Sequence, residues 1–127
     1  MCSSDLVVAG ARPNFMKVAP ILAELHADKE HFTPMLVHTG QHYDYRMSDV
    51  FFRDLGLPDP DEYLEARADA GVGQQIADII GKFDAVLQRE KPDLVLVVGD
   101  VSSTLACTVA SSTRQIPVAH EIGRAHV

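Results

Sequence analysis

Two cations lie close together in Gly10-Ala11-Arg12-Pro13-Asn14-Phe15-Met16-Lys17, a segment that follows an apolar run and opens a helical pattern. Cations at a helix amino terminus oppose the helix dipole by roughly 0.3–1 kcal/mol, so Arg12 and Lys17 call for a compensating anion such as a phosphate or carboxylate. On residue types alone, Lys17 can instead extend to water and Arg12 can pair with a nearby acid. The segment is neither a G-x-G-x-x-G loop nor a Walker A loop. A second segment, Thr39-Gly40-Gln41-His42-Tyr43-Asp44-Tyr45, is dense in hydrogen-bonding groups. Gly40 allows a tight backbone approach, and Gln41 and His42 offer donors and acceptors to hydroxyls or phosphate oxygens. A turn and helix start, capped by Asp44 or Ser48, accounts for the same residues equally well. The third segment is Gly99-Asp100-Val101-Ser102-Ser103-Thr104, where Asp100 suits either a helix cap or a general base. Cys107 falls on an apolar helix face and reads as a small core residue rather than a nucleophile. His26 and His31 read as surface residues near the end of the first helix. No Cys/His cluster has metal-ligand spacing, and no G-x-S-x-G elbow is present.

These segments need elements to hold them. Leu6-Val7-Val8-Ala9 reads as a buried strand ended by Gly10, and Met16, Ala19, Ile21, Leu22 and Leu25 recur at helical spacing up to about Ala27. Phe32–His38 reads as a second strand, and a short helix is expected from Ser48 to Leu55. Gly56-Leu57-Pro58-Asp59-Pro60-Asp61 is a loop. From Gln74 to Arg89 a long helix is expected, with Ile76, Ile79, Ile80, Phe83, Val86 and Leu87 on one face. Leu94-Val95-Leu96-Val97-Val98 is apolar throughout, as a central parallel strand should be. A helix through Leu105, Ala106, Val109 and Ala110 and a strand beginning near Ile116-Pro117-Val118-Ala119 complete the pattern. Alternating strands and helices predict a doubly wound α/β sheet of Rossmann-like type. In such sheets ligands bind beyond the carboxyl ends of the strands, where all three segments fall.

The chain has 127 residues, enough for one domain and too few for two. Its 11 Lys+Arg against 18 Asp+Glu give a net charge of −7, the wrong sign for a protein whose main partner is nucleic acid. No apolar run approaches the roughly 18 residues of a membrane span. Two cysteines make no disulfide framework, and the start lacks the regions of a signal peptide, so a cytoplasmic location is expected. The ends have a separate peculiarity. A DNA string that can encode Met1–Leu6 has a reverse complement that can be read within Glu121–Val127, and the shared string resembles a short-read sequencing adapter. The expectation is therefore a natural domain over residues 7–120, with adapter-derived tails at 1–6 and 121–127 and a carboxy-terminal domain absent.

Taken in series, Gly10-Ala11-Arg12-Pro13-Asn14-Phe15-Met16-Lys17, Thr39-Gly40-Gln41-His42-Tyr43-Asp44 and Val98-Gly99-Asp100-Val101-Ser102-Ser103-Thr104-Leu105-Ala106 closely resemble the non-hydrolysing UDP-N-acetylglucosamine 2-epimerases. The resemblance covers Val7 to His120 and implies the amino-terminal half of a GT-B-like two-domain fold. It implies interconversion of UDP-N-acetylglucosamine and UDP-N-acetylmannosamine by elimination and re-addition of UDP, without a redox cofactor or metal, in polysaccharide biosynthesis. By motif match, Arg12 and Lys17 correspond to substrate-site residues and Asp100 to a carboxylate implicated in proton transfer. Gln41 and His42 match a loop that serves the substrate or a second, activating nucleotide sugar. Where the family continues Pro-Val-Ala-His with Val-Glu-Ala-Gly-Leu-Arg, this chain has Glu121-Ile122-Gly123-Arg124, so the role of the family glutamate is not carried over to Glu121.

The resemblance further implies a homodimer of the complete protein, and no activity for this segment alone because half of the cleft is missing. Two other readings compete: another UDP-sugar enzyme of the same architecture, either a hydrolysing epimerase or a glycosyltransferase, and a non-catalytic nucleotide-sugar binding module. The Arg12-Pro13-Asn14-Phe15 sequence resembles the non-hydrolysing enzymes and lowers the first of these.

Overall fold

A computed structural model describes residues 3–10, 12–40, 53–54, 56–67, 71–98 and 102–121, without the side chains of residues 12–15. Strand β1 is Ser3–Ala9, helix α1 Arg12–Ala27, strand β2 Phe32–His38 and strand β3 Glu62–Tyr63. Helix α2 is Val72–Glu90, strand β4 Leu94–Val98, helix α3 Ser102–Thr113 and strand β5 Val118–Glu121. The strands form one sheet in the order β3-β2-β1-β4-β5, and every neighbouring pair is parallel. This is the expected doubly wound, Rossmann-like α/β arrangement, in which strand order reverses between β1 and β4.

Burial explains the layering. Val7, Ala9, Leu36 and Val98 pack against Val18, Ala19 and Leu22 of α1 on one face of the sheet. Leu6, Val8, Val37, Val95 and Val97 pack on the other against Ile79, Phe83, Val86 and Leu87 of α2 and Ala106, Cys107 and Ala110 of α3. Successive strand residues point to opposite faces, so strands covered on both sides must be apolar at nearly every position. The apolar face expected for the long helix is the one observed: Ile79, Phe83, Val86 and Leu87 are buried, and Ile76 and Ile80 pack at its margin. Lys91 ends α2 in the left-handed conformation, φ 48°, with its N–H donated to the Leu87 carbonyl.

The structure adds to and departs from expectation in several places. Leu94–Val98 is an interior parallel strand between β1 and β5, as expected, while β1 is the middle strand of the five. β1 also begins at Ser3, paired in register with Phe32, three residues before the expected Leu6. α1 starts at Arg12, inside a segment expected to be a connecting loop, with Pro13 at a position where a missing N–H is harmless. β3 was not foreseen: its two residues have no pattern of their own and are strand only through pairing with Val37 and His38. Its approach is set by Asp61, which accepts the Leu36 N–H on Oδ2 at 2.8 Å and donates its own N–H to the Leu36 carbonyl at 2.8 Å. Pro34, two residues before Leu36, turns its donor-less side to the same flank, away from the β1 ladder, so it breaks no bond there. Of the helix expected at Ser48–Leu55, only Arg53 and Asp54 are described, and both are helical; the rest lies outside the described residues.

Candidate functional site

Four strands bring their carboxyl ends to one edge: Ala9 of β1, His38 of β2, Val98 of β4 and Glu121 of β5. α1 leaves β1 and α3 follows β4 on the opposite face, so two helix amino termini flank the point where strand order reverses. Such a crevice favours an anion, since unpaired backbone N–H groups and helix dipoles point toward it.

The best-defined polar contact at this edge joins residues far apart in sequence. Thr39 and Ser103, both buried, share a hydroxyl–hydroxyl hydrogen bond of 2.8 Å. Thr39 also donates its N–H to the Ala9 carbonyl at 3.1 Å, tying the exit of β2 to the end of β1. Thr104 Oγ1 donates to the Val98 carbonyl at 3.1 Å and so ties the first turn of α3 back to the end of β4. Gly10 lies between these groups. A Cβ built on it would stand 2.5 Å from Ser103 Oγ and 2.9 Å from Thr39 Oγ1, so only glycine fits there. Gly40 is equally constrained, its Cβ position falling 2.9 Å from Cε1 of buried His38. The tight approach expected at Gly40 is thus to the His38 ring, which itself packs at a tilt against Tyr63 with 5.7 Å between centroids.

The expected site residues are placed unequally. Arg12 is the first residue of α1 and is described by its backbone only. Lys17 is half-buried five residues further along the same helix. Gln41, His42 and Asp100 lie outside the described residues, but the residues flanking them, Gly40, Val98 and Ser102, all stand at the carboxyl edge. Glu121 ends β5 opposite Val98, and its Oε2 is buried with no hydrogen-bond partner among the described residues. Cys107 is fully buried one turn past Ser103, and burial pushes its thiol pKa up, so it is a core residue as expected. His31 is on the surface beside Asp28 at 2.8 Å, and His26 is exposed. Among the described residues, no group of three His, Cys, Asp or Glu could hold a metal, and no helix is long and apolar enough to cross a membrane.

Thr39 and Ser103 are described residues of this edge that the sequence does not single out. Each sat in a recognised segment, but nothing local pairs hydroxyls 64 residues apart.

Comparison with known proteins decides what this edge belongs to. The profile of the UDP-N-acetylglucosamine 2-epimerase family matches residues 23–124. The chain belongs to that family. A UDP-N-acetylglucosamine 2-epimerase homologue from Methanococcus maripaludis is 41% identical over 115 residues, 91% of this chain and 31% of the relative. The UDP-2,3-diacetamido-2,3-dideoxy-D-glucuronate 2-epimerase of Pseudomonas aeruginosa is 39% identical over 91% of this chain and 32% of its own length. Among solved structures, the UDP-GlcNAc 2-epimerase of Neisseria meningitidis bound to UDP-GlcNAc superimposes with a TM-score of 0.82 at 31% identity, covering 92% of this chain and 31% of that one. A glycosyltransferase from Streptomyces sp. SF2575, 18% identical with a TM-score of 0.63, shares the fold. The chain therefore spans about 31% of the length of these epimerase relatives, and its sheet is one Rossmann-like unit of their GT-B-like architecture.

Proposed function

We propose that the complete protein carrying this segment is a non-hydrolysing UDP-N-acetylglucosamine 2-epimerase, interconverting UDP-N-acetylglucosamine and UDP-N-acetylmannosamine. The observation that carries this reading is the superposition, over 92% of the chain, on an epimerase whose structure holds UDP-GlcNAc. In this reading a base removes the C2 proton, UDP leaves to give 2-acetamidoglucal, and UDP adds back with protonation from the opposite face. The reaction needs cations for the departing diphosphate and a proton-transfer group beside C2. Arg12 and Lys17, on the first turns of α1, supply the cations, and Asp100, following β4, transfers a proton. Gln41 and His42, following β2, contact the substrate or a second, activating nucleotide sugar. No redox cofactor or metal enters the scheme. The complete enzyme is a cytoplasmic homodimer in this reading, and the present segment alone is inactive, because a GT-B-like cleft needs both halves.

A second reading concerns the sugar rather than the reaction. The Pseudomonas aeruginosa relative, at 39% identity, is named for a diacetamido glucuronate, which also inverts at C2. Solvent deuterium uptake at C2 by the complete protein, with each nucleotide sugar in turn, separates the two. Uptake and epimer formation with UDP-N-acetylglucosamine support the first; exchange only with the diacetamido uronate supports the second. No exchange with either rejects both.

A further inference from the structure

We propose that Thr39 and Ser103 act as a positioning pair for proton transfer, clasping the segment after β2 to the segment after β4 so that the groups they carry keep a fixed spacing. This rests on the reading of the edge as an epimerase site. The hydroxyls of the buried pair are 2.8 Å apart; in the sequence Thr39 is followed by Gly40, Gln41 and His42, and Ser103 is preceded by Asp100, Val101 and Ser102. The two residues are anchored independently of each other. Thr39 is held to β1 through the Ala9 carbonyl, and the turn containing Ser103 is held to β4 through Thr104 and the Val98 carbonyl. Both units are held to the sheet through β1, and the hydroxyl bond adds a direct side-chain link between them. Gly10 passes beneath it with no room for a side chain, so the start of the segment leading to Arg12 is placed by the same cluster.

A helix cap or a surface hydrogen bond would not need this arrangement. Neither hydroxyl is needed to fill a core, since both sit where the apolar layers end and the strand-to-helix connections begin. Ser103 is one residue from the start of α3, yet its side chain is directed at Thr39 and not at its own helix backbone. The clasp thus joins Thr39, two residues before Gln41 in the sequence, to Ser103, three residues after the proposed proton-transfer carboxylate Asp100. Displacement of a reacting group by a fraction of its contact distance lowers the rate of the chemical step steeply, with smaller effects on binding.

The test uses the complete protein with Thr39→Val, Ser103→Ala, the double variant and Thr39→Ser. Each is assayed for kcat, KM and the primary isotope effect with substrate deuterated at C2, after confirming its folded fraction. The expected result is a fall in kcat of roughly tenfold or more for each hydroxyl-deleting variant, with KM changed less and the isotope effect raised. The double variant should be no worse than the more impaired single, because both remove the same bond. Thr39→Ser, which keeps the hydroxyl, should restore kcat. A fall in kcat that only tracks a reduced folded fraction, with the isotope effect unchanged, would overturn the proposal, as would additive losses in the double variant. Hydrogen exchange on the same proteins keeps the proposal testable if the parent shows no epimerase activity and the functional reading fails. Thr39→Val should then speed exchange in the peptide covering Val98–Cys107, and unaltered exchange there overturns the clasp itself.

Discussion

Gly10 and Ser103 approach so closely that a methyl group on Gly10 would stand 2.5 Å from Ser103 Oγ and 2.9 Å from Ser103 Cβ. Atoms at that separation overlap well inside van der Waals contact, and the nearest neighbours are the short side chains of buried Ser103 and Thr39, bonded to each other and with little freedom to move. Gly10→Ala is expected to destabilise the fold by about 1–3 kcal/mol, as over-packing of a filled interior does. Ser103→Ala in the same chain should relieve only part of this, since Thr39 Oγ1 and the residue 103 Cβ remain 2.9 Å away. Denaturant midpoints of the two single variants and the double variant measure both effects.

Asp5 gives a prediction of opposite sign. The residue is 1% exposed, between Leu94 of β4 and Pro34 of β2 in register; Oδ1 accepts the Ser3 hydroxyl at 2.8 Å, and Oδ2 has no partner among the described residues. A buried carboxylate with an unpaired oxygen is disfavoured relative to an apolar side chain of similar size. Asp5→Val is expected to raise stability by about 1–3 kcal/mol, read as a higher melting temperature. Asp5 and Glu121 are the two carboxylates with orphaned buried oxygens among the described residues.

Cys107 should be silent toward thiol reagents while the protein is folded. The side chain is fully buried among Ala106, Ala110 and the strands, and burial pushes its pKa up, so the thiolate that reacts is scarce at neutral pH. Mapped by peptide mass, alkylation at Cys107 should appear only with unfolding, at the rate or denaturant concentration that global unfolding sets. Rapid labelling in the native protein would mean that α3 opens locally.

The connection after β3 should respond to acid. Asp78 accepts the Arg67 N–H at 2.8 Å and lies 3.1 Å from Lys82 Nζ, and these contacts, the first foremost, hold its carboxyl below the usual carboxylate range. A folded-state pKa below the unfolded value adds stability that is fully present above the unfolded value and is lost as pH falls through the folded one. Asp78→Asn should therefore lower stability at neutral pH, by less than about 1 kcal/mol because solvent screens the site. Its difference from the parent should begin to shrink as pH falls below about 4, where the unfolded carboxyl takes up its proton, and vanish only below the lower folded-state value of Asp78. Denaturation curves at several pH values check the slope.

Patterning over short stretches was enough to make much of the fold legible. Leu94–Val98 can only be a strand covered on both faces, and the spacing of Ile79, Phe83, Val86 and Leu87 can only present one buried stripe as a helix. The strand–helix alternation then led to the expectation that Arg12, Lys17, Gln41, His42 and Asp100 lie beyond the carboxyl ends of strands, because in a parallel sheet every strand-to-helix connection leaves from the same edge. The motifs in series were specific enough to indicate the family.

Hidden from the sequence were the features that exist only between distant segments. β3 has no strand signal in Glu62–Tyr63 and forms because Asp61 docks on Leu36. β1 is central because both β2 and β4 pair with it, a matter of sheet order rather than of its own residues. The Thr39–Ser103 bond joins hydroxyls that local propensity treats as ordinary loop and helix-start residues. By itself, the sequence determined the longer elements and their common edge, since periodicity acts locally and parallel strands all end on one side. Tertiary structure decided which connections are fastened together there, because a hydrogen bond across 64 residues depends on the sheet order that brings its ends within 2.8 Å.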